Sequence, residues 1–377
     1  MKLIHLSDLH IGKRLLEHSF LEDQKDLFQT ILLKIKEIQP DGIILAGDIY
    51  DKSLPSAEAV ELFDFFLSEL AKLHLPVFLI SGNHDSAERI AFASNIMKES
   101  GIYISPVYHG EVKPIRLKDA YGPVNFYLLP FLRPSQVRRY YPDEKIETYT
   151  DAFRILISQM KLNKAERNIL IAHQFVAGSE TSGSEEMSVG GVESVDADVF
   201  CDFDYVALGH IHKRQTLKGN IHYSGTPMKY SFSELKNTNG FTVVQLEDKG
   251  NLSLSYVDLS VKKELKEVRG SFEELMQENN RKQDYYHVIL TDEEDIVDGA
   301  KKLRNVYPNL LKLDYDNTRT RTRNSILAIE KMEEKSVEEL FDDFYELQNG
   351  MPMNEMQKEY FRKVVSELKG EDPDETA

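Results

Sequence analysis

The stretch PVFLISGNHD (residues 76–85) decides how this chain folds. Its first half is a short apolar run, which predicts a buried strand, and Gly82 permits the tight turn that ends the strand. That turn brings together the amide of Asn83, the imidazole of His84 and the carboxylate of Asp85. An amide oxygen can bind a hard metal ion, and an imidazole can hold or donate a proton near neutral pH. The stretch therefore predicts a strand with a polar site at its carboxyl end.

Two earlier segments, residues 3–8 and 43–46, predict strands that also run into polar clusters. The segments 24–38 and 56–73 lie between these strands and the strand at 76–80, and each repeats apolar residues with the helical period. The order is therefore βαβαβ, and in open α/β sheets ligands bind just beyond the carboxyl ends of the strands. We expect five side chains to meet at that edge: Asp8, His10, Asp48, Asn83 and His84.

Two later predicted strands, 168–172 and 205–208, end in histidines. The first leads to His173, and a loop rich in Ser, Gly and Glu follows at 178–191. The second leads to His210 and His212. A single histidine is usually structural, but histidines at four strand ends, accompanied by two aspartates and an asparagine, indicate a shared site.

The candidate ligands are imidazole nitrogens and carboxylate or amide oxygens: Asp8, His10, Asp48, Asn83, His173, His210 and His212. This set, which lacks a thiolate, suits Mn²⁺, Fe²⁺ or Zn²⁺. Seven ligands are too many for one ion, whereas two ions that share a carboxylate would use them all. Such pairs lie roughly 3.5–4 Å apart, clamp a phosphate and activate a water for attack on phosphorus. The residues alone therefore predict two-metal phosphoester hydrolysis.

Composition indicates a globular protein of two or three domains, because 377 residues exceed one ordinary domain. No apolar run approaches the roughly 20 residues that span a membrane, and the first residues do not resemble a signal peptide. The only cysteine, Cys201, fits a reducing cytoplasm and is expected to be a small buried residue. These features favour a cytoplasmic protein with no membrane partner.

The formal net charge of −17 is unevenly distributed. Residues 325–377 contain 15 acidic and 6 basic side chains, which is a net charge of −9 in a short tail. Metal ions would also offset carboxylates at a site that handles phosphate. The acidic balance argues against tight DNA binding by this chain alone, but it does not exclude catalysis on DNA.

The chain after residue 260 predicts two further parts. We expect an α/β domain over 1–260, a small α+β domain over 261–325 and a pair of helices over 326–377. We expect residues 317–324 to form a solvated linker. The alternative is that the three arginines of this segment contact phosphate. Each tail helix has a narrow apolar stripe on an acidic body, so the pair can pack on its own domain or dock into a groove of a partner.

The ordered motifs resemble the signature of the calcineurin-like metallophosphoesterase family: Asp8-x-His10, Gly47-Asp48, GNHD (82–85), the strand end at His173 and Gly209-His210-x-His212. Other stretches make the chain more specifically similar to the bacterial SbcD nuclease family. They are LSDLHIG (6–12), GDIYD (47–51), HIHK (210–213), YSGTP (223–227) and SFSE (231–234).

This resemblance implies a four-layer α/β/β/α sandwich with a small α+β capping domain and a C-terminal helix pair. It implies an ATP-regulated, Mn²⁺-dependent 3′→5′ exonuclease and endonuclease that acts on double-stranded ends and hairpins in DNA repair, recombination and replication. The partners implied are DNA, a second copy of the chain within a heterotetramer, and the coiled coil of the SbcC ATPase. The resemblance thus favours docking of the tail helices on SbcC.

The resemblance also implies a role for each site residue. One metal would be held by Asp8, His10, Asp48 and His212, and the other by Asp48, Asn83, His173 and His210. His84 would stabilise the transition state and protonate the leaving 3′ oxygen. Asp85 would orient His84 or cap the local turn, and His18 is the nearest candidate for a further active-site histidine. This chain has Asp51 where some relatives have a histidine.

Two alternatives to the nuclease remain at this stage. A metallophosphoesterase for phosphoproteins, nucleotides or cyclic nucleotides would use the same metal site, although it has no evident use for a capping domain and a tail. A catalytically inactive scaffold for an ATPase is disfavoured because all seven ligand positions are intact.

Overall fold

A computed structural model describes residues 1–185, 194–277, 283–321, 341–342, 345 and 353–369. The chain divides into two compact units. The first comprises Met1–Ile289 and Val297–Asp314, and the second comprises Leu290–Ile296 and Tyr315–Ala377. Among the described helices, none is both long and apolar enough to cross a membrane.

The described strands in chain order are β1 (Lys2–Leu6), β2 (Arg14–Leu15), β3 (His18–Ser19), β4 (Gly42–Ala46), β5 (Val77–Ile80), β6 (Ile102–Ile104), β7 (Ile115–Asp119), β8 (Gly122–Leu128), β9 (Arg167–His173), β10 (Tyr205–Gly209), β11 (Gln215–Leu217), β12 (Ile221–Tyr223), β13 (Gly240–Leu246), β14 (Leu252–Asp258), β15 (Leu265–Gly270), β16 (Tyr285–Leu290) and β17 (Asn309–Tyr315). The described helices are α1 (Leu21–Ile38), α2 (Ala57–Ala71), α3 (Ala87–Ile90), α4 (Ser94–Met97), α5 (Pro134–Arg138), α6 (Tyr149–Gln159), α7 (Phe272–Gln277), α8 (Gly299–Leu303) and α9 (Glu355–Lys369).

Two six-stranded sheets dominate the first unit. The first sheet has the order β14-β13-β1-β4-β5-β6, in which β1, β4, β5 and β6 are parallel, β13 is antiparallel to β1, and β14 is antiparallel to β13. The second has the order β11-β12-β10-β9-β8-β7, with β12, β10, β9 and β8 parallel between two antiparallel edge strands. A three-stranded sheet of β15, β16 and β17 and a short hairpin of β2 and β3 complete the set.

Successive side chains of a buried strand point to opposite faces of its sheet. Each sheet therefore packs against helices on one face and against the other sheet on the other face, which gives four layers. In β4, Ile43 and Leu45 join the core formed with α1 and α2, whereas Ile44 and Ala46 join the core shared by the two sheets. Phe78 stacks on Phe126 of the second sheet, with ring centroids 4.0 Å apart. The opposite face of the second sheet packs against α5 and α6. The α/β/β/α sandwich expected from the sequence is confirmed.

The strands predicted over 3–8, 43–46, 76–80, 168–172 and 205–208 and the helices predicted over 24–38 and 56–73 are all present. The hairpin of β2 and β3 and the edge strand β7 were not predicted, because two-residue strands are too short to show a period and β7 alternates over only five residues. Cys201 is exposed, so the expectation of burial is wrong; it follows a 3-10 turn whose Phe200 fills the core instead.

The expectations for the C-terminal part have mixed outcomes. Residues 318–321 form a helical turn in which Arg319 pairs with Asp295 and Arg321 with Asp316, rather than an extended linker. Arg323 and most of the first predicted tail helix lie outside the described residues, whereas α9 matches the second. The boundaries at 260 and 325 stay predictions.

A buried ion pair between Arg167 and Asp119 supports the fold away from the site. The Arg167 side chain is fully buried and donates to both carboxylate oxygens of Asp119 and to the Glu247 carbonyl at 2.8 Å. Partial burial would raise the pKa of Asp119, but the hydrogen bonds from Arg167 hold it well below its usual range. A carboxylate with a depressed pKa stabilises the fold at neutral pH, and this contribution is lost as the pH falls.

We expect Asp119→Ala to lower the free energy of unfolding at pH 7 by about 3–5 kcal/mol, because it leaves the Arg167 charge buried without its partner. Below about pH 4 the Asp119 carboxyl of the unfolded wild type takes up a proton, which removes this contribution to stability. The difference in unfolding free energy between wild type and Asp119→Ala should therefore shrink there. Urea denaturation of metal-free protein at both pH values measures it. Asp198→Ala, which removes an exposed pair with Lys218, is the control and should leave the free energy of unfolding nearly unchanged.

Candidate metal centre

The candidate site lies where the carboxyl ends of parallel strands from both sheets meet. Loops after β1, β4 and β5 supply residues from the first sheet, and the ends of β9 and β10 supply those from the second. Two glycines permit the close approach. A Cβ on Gly82 would overlap the Asp48 carboxylate, and a Cβ on Gly209 would overlap the Ala46 carbonyl oxygen. Both glycines are therefore required by packing at the site.

Four of the predicted site residues have left-handed backbones: Asp8 (φ 54°), His10 (φ 42°), Asp48 (φ 48°) and His210 (φ 97°). Such conformations in non-glycine residues cost of order 1–3 kcal/mol each and concentrate at functional sites. Their occurrence at four neighbouring positions indicates that the loops are shaped for their side chains rather than for backbone stability.

One half of the cluster surrounds Asn83. Its Oδ1 lies 3.0 Å from His173 Nε2 and 3.0 Å from His210 Nδ1. Asp48 Oδ2 lies 3.2 Å from the same His173 Nε2. Burial lowers the pKa of His210 to about 3, so its imidazole is neutral and able to act as a ligand. The structure thus brings Asp48, Asn83, His173 and His210 together, as the sequence predicts.

The other half surrounds His10. Its Nε2 lies 3.1 Å from His212 Nε2 and 3.7 Å from Asp48 Oδ2. Ligand atoms of Asp8, His10 and His212 all lie within 4.8 Å of one another, and the same holds for Asp8, Asp48 and His173. Asp48 also forms such a cluster with His10 and His84, so its carboxylate lies between the two halves.

The hydrogen-bond pattern fits divalent cations. His173 Nδ1 lies 2.8 Å from the Ala46 carbonyl and must donate to it, so its Nε2 directs a lone pair at the oxygens of Asn83 and Asp48. Asp8 Oδ2 and His10 Nδ1 are buried and have no hydrogen-bond partner among the described residues. Electron-pair donors that face one another without hydrogens are stabilised by a shared cation, and the mixed nitrogen and oxygen set suits a divalent one.

Without a cation, a proton takes its place. Burial alone would lower the pKa of His173, but the Asp48 carboxylate raises it to about 9. The charge of His173 likewise holds the pKa of Asp48 well below its usual value against the effect of burial. Metal binding must displace such protons, so the cluster is built to exchange a proton for an ion.

His84 is held at the edge of this cluster. Its Nδ1 lies 2.9 Å from the Asp51 carbonyl, to which it donates, and its backbone N–H donates to Asp48 Oδ1 at 2.9 Å. Its Nε2 lies 4.0 Å from Asp48 Oδ2, and the side chain is 15 % exposed. His84 also belongs to a cluster of possible ligands with His10 and Asp48. Its second ring nitrogen therefore lies at the edge of the metal centre, on a side chain that is only partly shielded from solvent.

Asp85 and His18 occupy different positions. The Asp85 carboxylate accepts three backbone N–H bonds at 2.9–3.0 Å, from Ile49, Tyr50 and Gly82, and so ties two loops together. Burial and the nearby Asp48 charge raise its pKa to about 6. These bonds favour the capping alternative. His18 Nε2 lies 2.8 Å from the Tyr285 hydroxyl, and His18 is in none of the described ligand clusters.

Sequence reasoning gave no role to Glu234, which the structure places at the site. Its buried Oε1 accepts from His212 Nδ1 at 2.8 Å, and its Oε2 accepts from the Tyr230 N–H. Burial lowers the pKa of His212, but Glu234 more than offsets this and raises it. Gln24 is a second such residue, since its side-chain amide donates to the Leu9 and His10 carbonyls and fixes the first loop.

Comparisons with known proteins place the chain in a family. The family model for calcineurin-like phosphoesterases matches residues 1–214. The D subunit of the nuclease SbcCD from Staphylococcus epidermidis is 34% identical over 377 residues, which cover 97% of this chain and 98% of the relative. This chain belongs to the SbcD family. The SbcD protein of Staphylococcus saprophyticus is 31% identical, with 98% of each chain covered.

Two other comparisons accompany the SbcD assignment. Residues 261–349 match the model described as the type 5 capsule protein repressor C-terminal domain. A dimetal phosphatase from Danio rerio has a related structure, with a TM-score of 0.42, 12% identity, and 68% of this chain and 96% of that chain covered. As an SbcD-family member, the chain is a metal-dependent phosphoesterase.

Proposed function

We propose that this chain is the nuclease subunit of an SbcCD-type complex, a two-metal enzyme that cleaves DNA as a 3′→5′ exonuclease and as an endonuclease on hairpins. The observation that carries the proposal is the position of Asp48, whose carboxylate lies between two groups of histidines. The full-length similarity to two SbcD proteins of SbcCD nucleases supports the choice of DNA as substrate.

The proposed ligand sets follow the two halves of the cluster. Asp8, His10, Asp48 and His212 would hold one ion, and Asp48, Asn83, His173 and His210 the other. The nitrogen and oxygen donors are compatible with Mn²⁺, which is our proposed metal. When bound, the ions supply charge neutralisation at the phosphoryl group and lower the pKa of a water.

The contribution of His84 follows from its hydrogen bonds. The Asp51 carbonyl fixes Nδ1–H, so the proton that the ring can gain and lose is on Nε2. A protonated Nε2 would donate to the 3′ oxygen as the P–O3′ bond breaks, so that an alcohol leaves instead of an alkoxide. Such general-acid catalysis typically contributes about 10²–10⁴-fold.

Glu234 is expected to strengthen the metal site through His212. We predict that Glu234→Gln lowers the apparent affinity for Mn²⁺ by about 10–100-fold, because a neutral amide stabilises the ligating imidazole less than a carboxylate does. Activity at saturating Mn²⁺ should change much less. Titration of cleavage with Mn²⁺ measures the shift. Glu180→Gln, which alters an exposed glutamate paired with Lys213, serves as the control, and equal affinities for both variants would contradict the role.

The tail supports docking on the coiled coil of an SbcC-type ATPase. On α9, Met356 and Tyr360 are 80 % and 71 % exposed, although both are large and apolar. Phe341 and Phe361 stack with ring centroids 4.1 Å apart. An amphipathic helix with an uncovered apolar face is suited to a groove on a partner. We propose that this face binds the coiled coil, that ATP acts through that partner, and that the domain over 261–325 caps the site.

One assay tests the proposed substrate. Purified protein with Mn²⁺ is expected to cleave a hairpin DNA much faster than it releases phosphate from p-nitrophenyl phosphate. Addition of EDTA should abolish the cleavage, and excess Mn²⁺ should restore it. The reverse preference would favour a phosphatase for nucleotides or phosphoproteins, and inactivity on both substrates would favour a scaffold.

A further inference from the structure

Lys13 and Asp51 form an ion pair beside the metal centre that none of the motifs explains. Lys13 Nζ lies 2.8 Å from Asp51 Oδ1, and the two side chains are 26% and 10% exposed. Lys13 lies in the loop between β1 and β2, whereas Asp51 lies in the loop between β4 and α2. Because the pair is largely shielded from water, it is a stronger constraint than a surface pair. It therefore joins two loops that carry proposed metal ligands.

The backbone of Asp51 holds His84. The Asp51 carbonyl accepts from His84 Nδ1 at 2.9 Å, and the Asp51 N–H donates to the Ile11 carbonyl at 3.2 Å. The side chain of Asp51 is thus fixed by Lys13, and its main chain fixes the imidazole. A displacement of Asp51 would turn His84 Nε2 away from its present direction.

A competing group lies close to the same carboxylate. His10 Nδ1 is 3.8 Å from Asp51 Oδ1 and has no hydrogen-bond partner among the described residues. Without the Lys13 ammonium, the carboxylate would be drawn toward His10 and would pull on the main chain that holds His84. Lys13 therefore holds the Asp51 carboxylate away from His10.

We propose that Lys13 and Asp51 are positioning residues for His84, and that Lys13 sets the direction of its proton donation through Asp51. The inference rests on the proposed role of His84 as general acid. It has a specific consequence, because proton donation matters when the leaving group is the alkoxide of a DNA strand and matters little when it is p-nitrophenolate, which leaves readily without a proton.

The test compares two phosphodiesters that differ in their leaving group. The full chain at saturating Mn²⁺ is assayed on saturating hairpin DNA and on bis(p-nitrophenyl) phosphate, as wild type, Lys13→Met, Lys13→Arg and His84→Gln. Lys13→Met should lower kcat on DNA by about 10–100-fold, the typical cost of a misplaced catalytic group, and change kcat on the p-nitrophenyl ester by less than about 3-fold. Lys13→Arg should restore most of the DNA activity. Mn²⁺ affinity and urea stability confirm that each variant is folded and loaded.

Lys266→Met is the matched control, because Lys266 pairs with the half-buried Asp284 at 2.6 Å in the three-stranded sheet. It should leave both activities unchanged. An equal loss of Lys13→Met activity on both diesters would overturn the inference, since Lys13 would then act on the phosphate or the metals. Full DNA activity of Lys13→Met would also overturn it. If His84→Gln itself lowers both activities equally, the general-acid role fails instead, and the inference falls with it.

Discussion

His84→Gln is expected to lower the rate of DNA cleavage by about 10²–10⁴-fold while both metal ions remain bound. The reason is positional. His84 Nδ1 donates to the Asp51 carbonyl at 2.9 Å. Its Nε2 lies 4.0 Å from Asp48 Oδ2, at the edge of the cluster. Glutamine fills similar space but cannot deliver a proton from an acidic nitrogen. Single-turnover cleavage of hairpin DNA measures the rate, and Mn²⁺ titration calorimetry measures the number of ions bound.

The control for this prediction is His109→Gln, which changes an exposed histidine near Tyr140 and should retain wild-type activity. A His84→Gln protein that binds fewer ions than the wild type would contradict the assignment. His84 would then be a metal ligand, as its membership of the cluster with His10 and Asp48 allows.

Asp48→Ala is expected to remove both the metal ions and the activity. Its Oδ2 lies 3.2 Å from His173 Nε2 and 3.7 Å from His10 Nε2, so one carboxylate serves both halves of the site. Loss of metal-dependent charge stabilisation is worth several kcal/mol in the transition state, or about 10³-fold or more in rate. Metal content by mass spectrometry and cleavage of hairpin DNA measure the two losses.

Asp48→Asn separates metal binding from folding. An asparagine oxygen can still accept from the His84 N–H, which is 2.9 Å from Asp48 Oδ1 in the wild type, so the loop should keep its shape. The missing negative charge should nevertheless reduce metal content and activity nearly as far as alanine does. An Asp48→Asn protein with two tightly bound ions and full activity would show that this carboxylate does not serve both halves.

The strand ends were predictable because two simple patterns coincide there. Residues 43–46 and 77–80 are continuous apolar runs, which is the pattern of strands buried on both faces, and polar residues follow each run at once. Parallel strands deliver such residues to the same edge of a sheet. The sequence pattern alone therefore predicts that Asp48, Asn83 and His84 lie together.

The residues that support the site were not predictable in the same way. Glu234 contacts His212 from 22 positions further along the chain, and it ends a 3-10 helix of three residues, which is too short to show a periodic pattern. The contact of Lys13 with Asp51 depends on two loops whose shapes are set by left-handed residues such as His10 and Asp48. Glu234 and Asp51 lie in stretches that carry the family resemblance, but their contacts depend on tertiary structure, so the local sequence does not say which side chain each of them meets.

The domain boundaries at 260 and 325 stay predictions. The two compact units of the chain are discontinuous, since Leu290–Ile296 belongs with Tyr315–Ala377. A segment as short as Leu290–Ile296 leaves no signal in composition that would assign it to one unit or the other.

Anomalous diffraction from crystals grown with Mn²⁺ tests the central claim most directly. The account predicts two manganese peaks, roughly 3.5–4 Å apart, with the Asp48 carboxylate in contact with both, His10 and His212 on one side, and His173 and His210 on the other. A single peak, or two peaks of which only one touches Asp48, would contradict it.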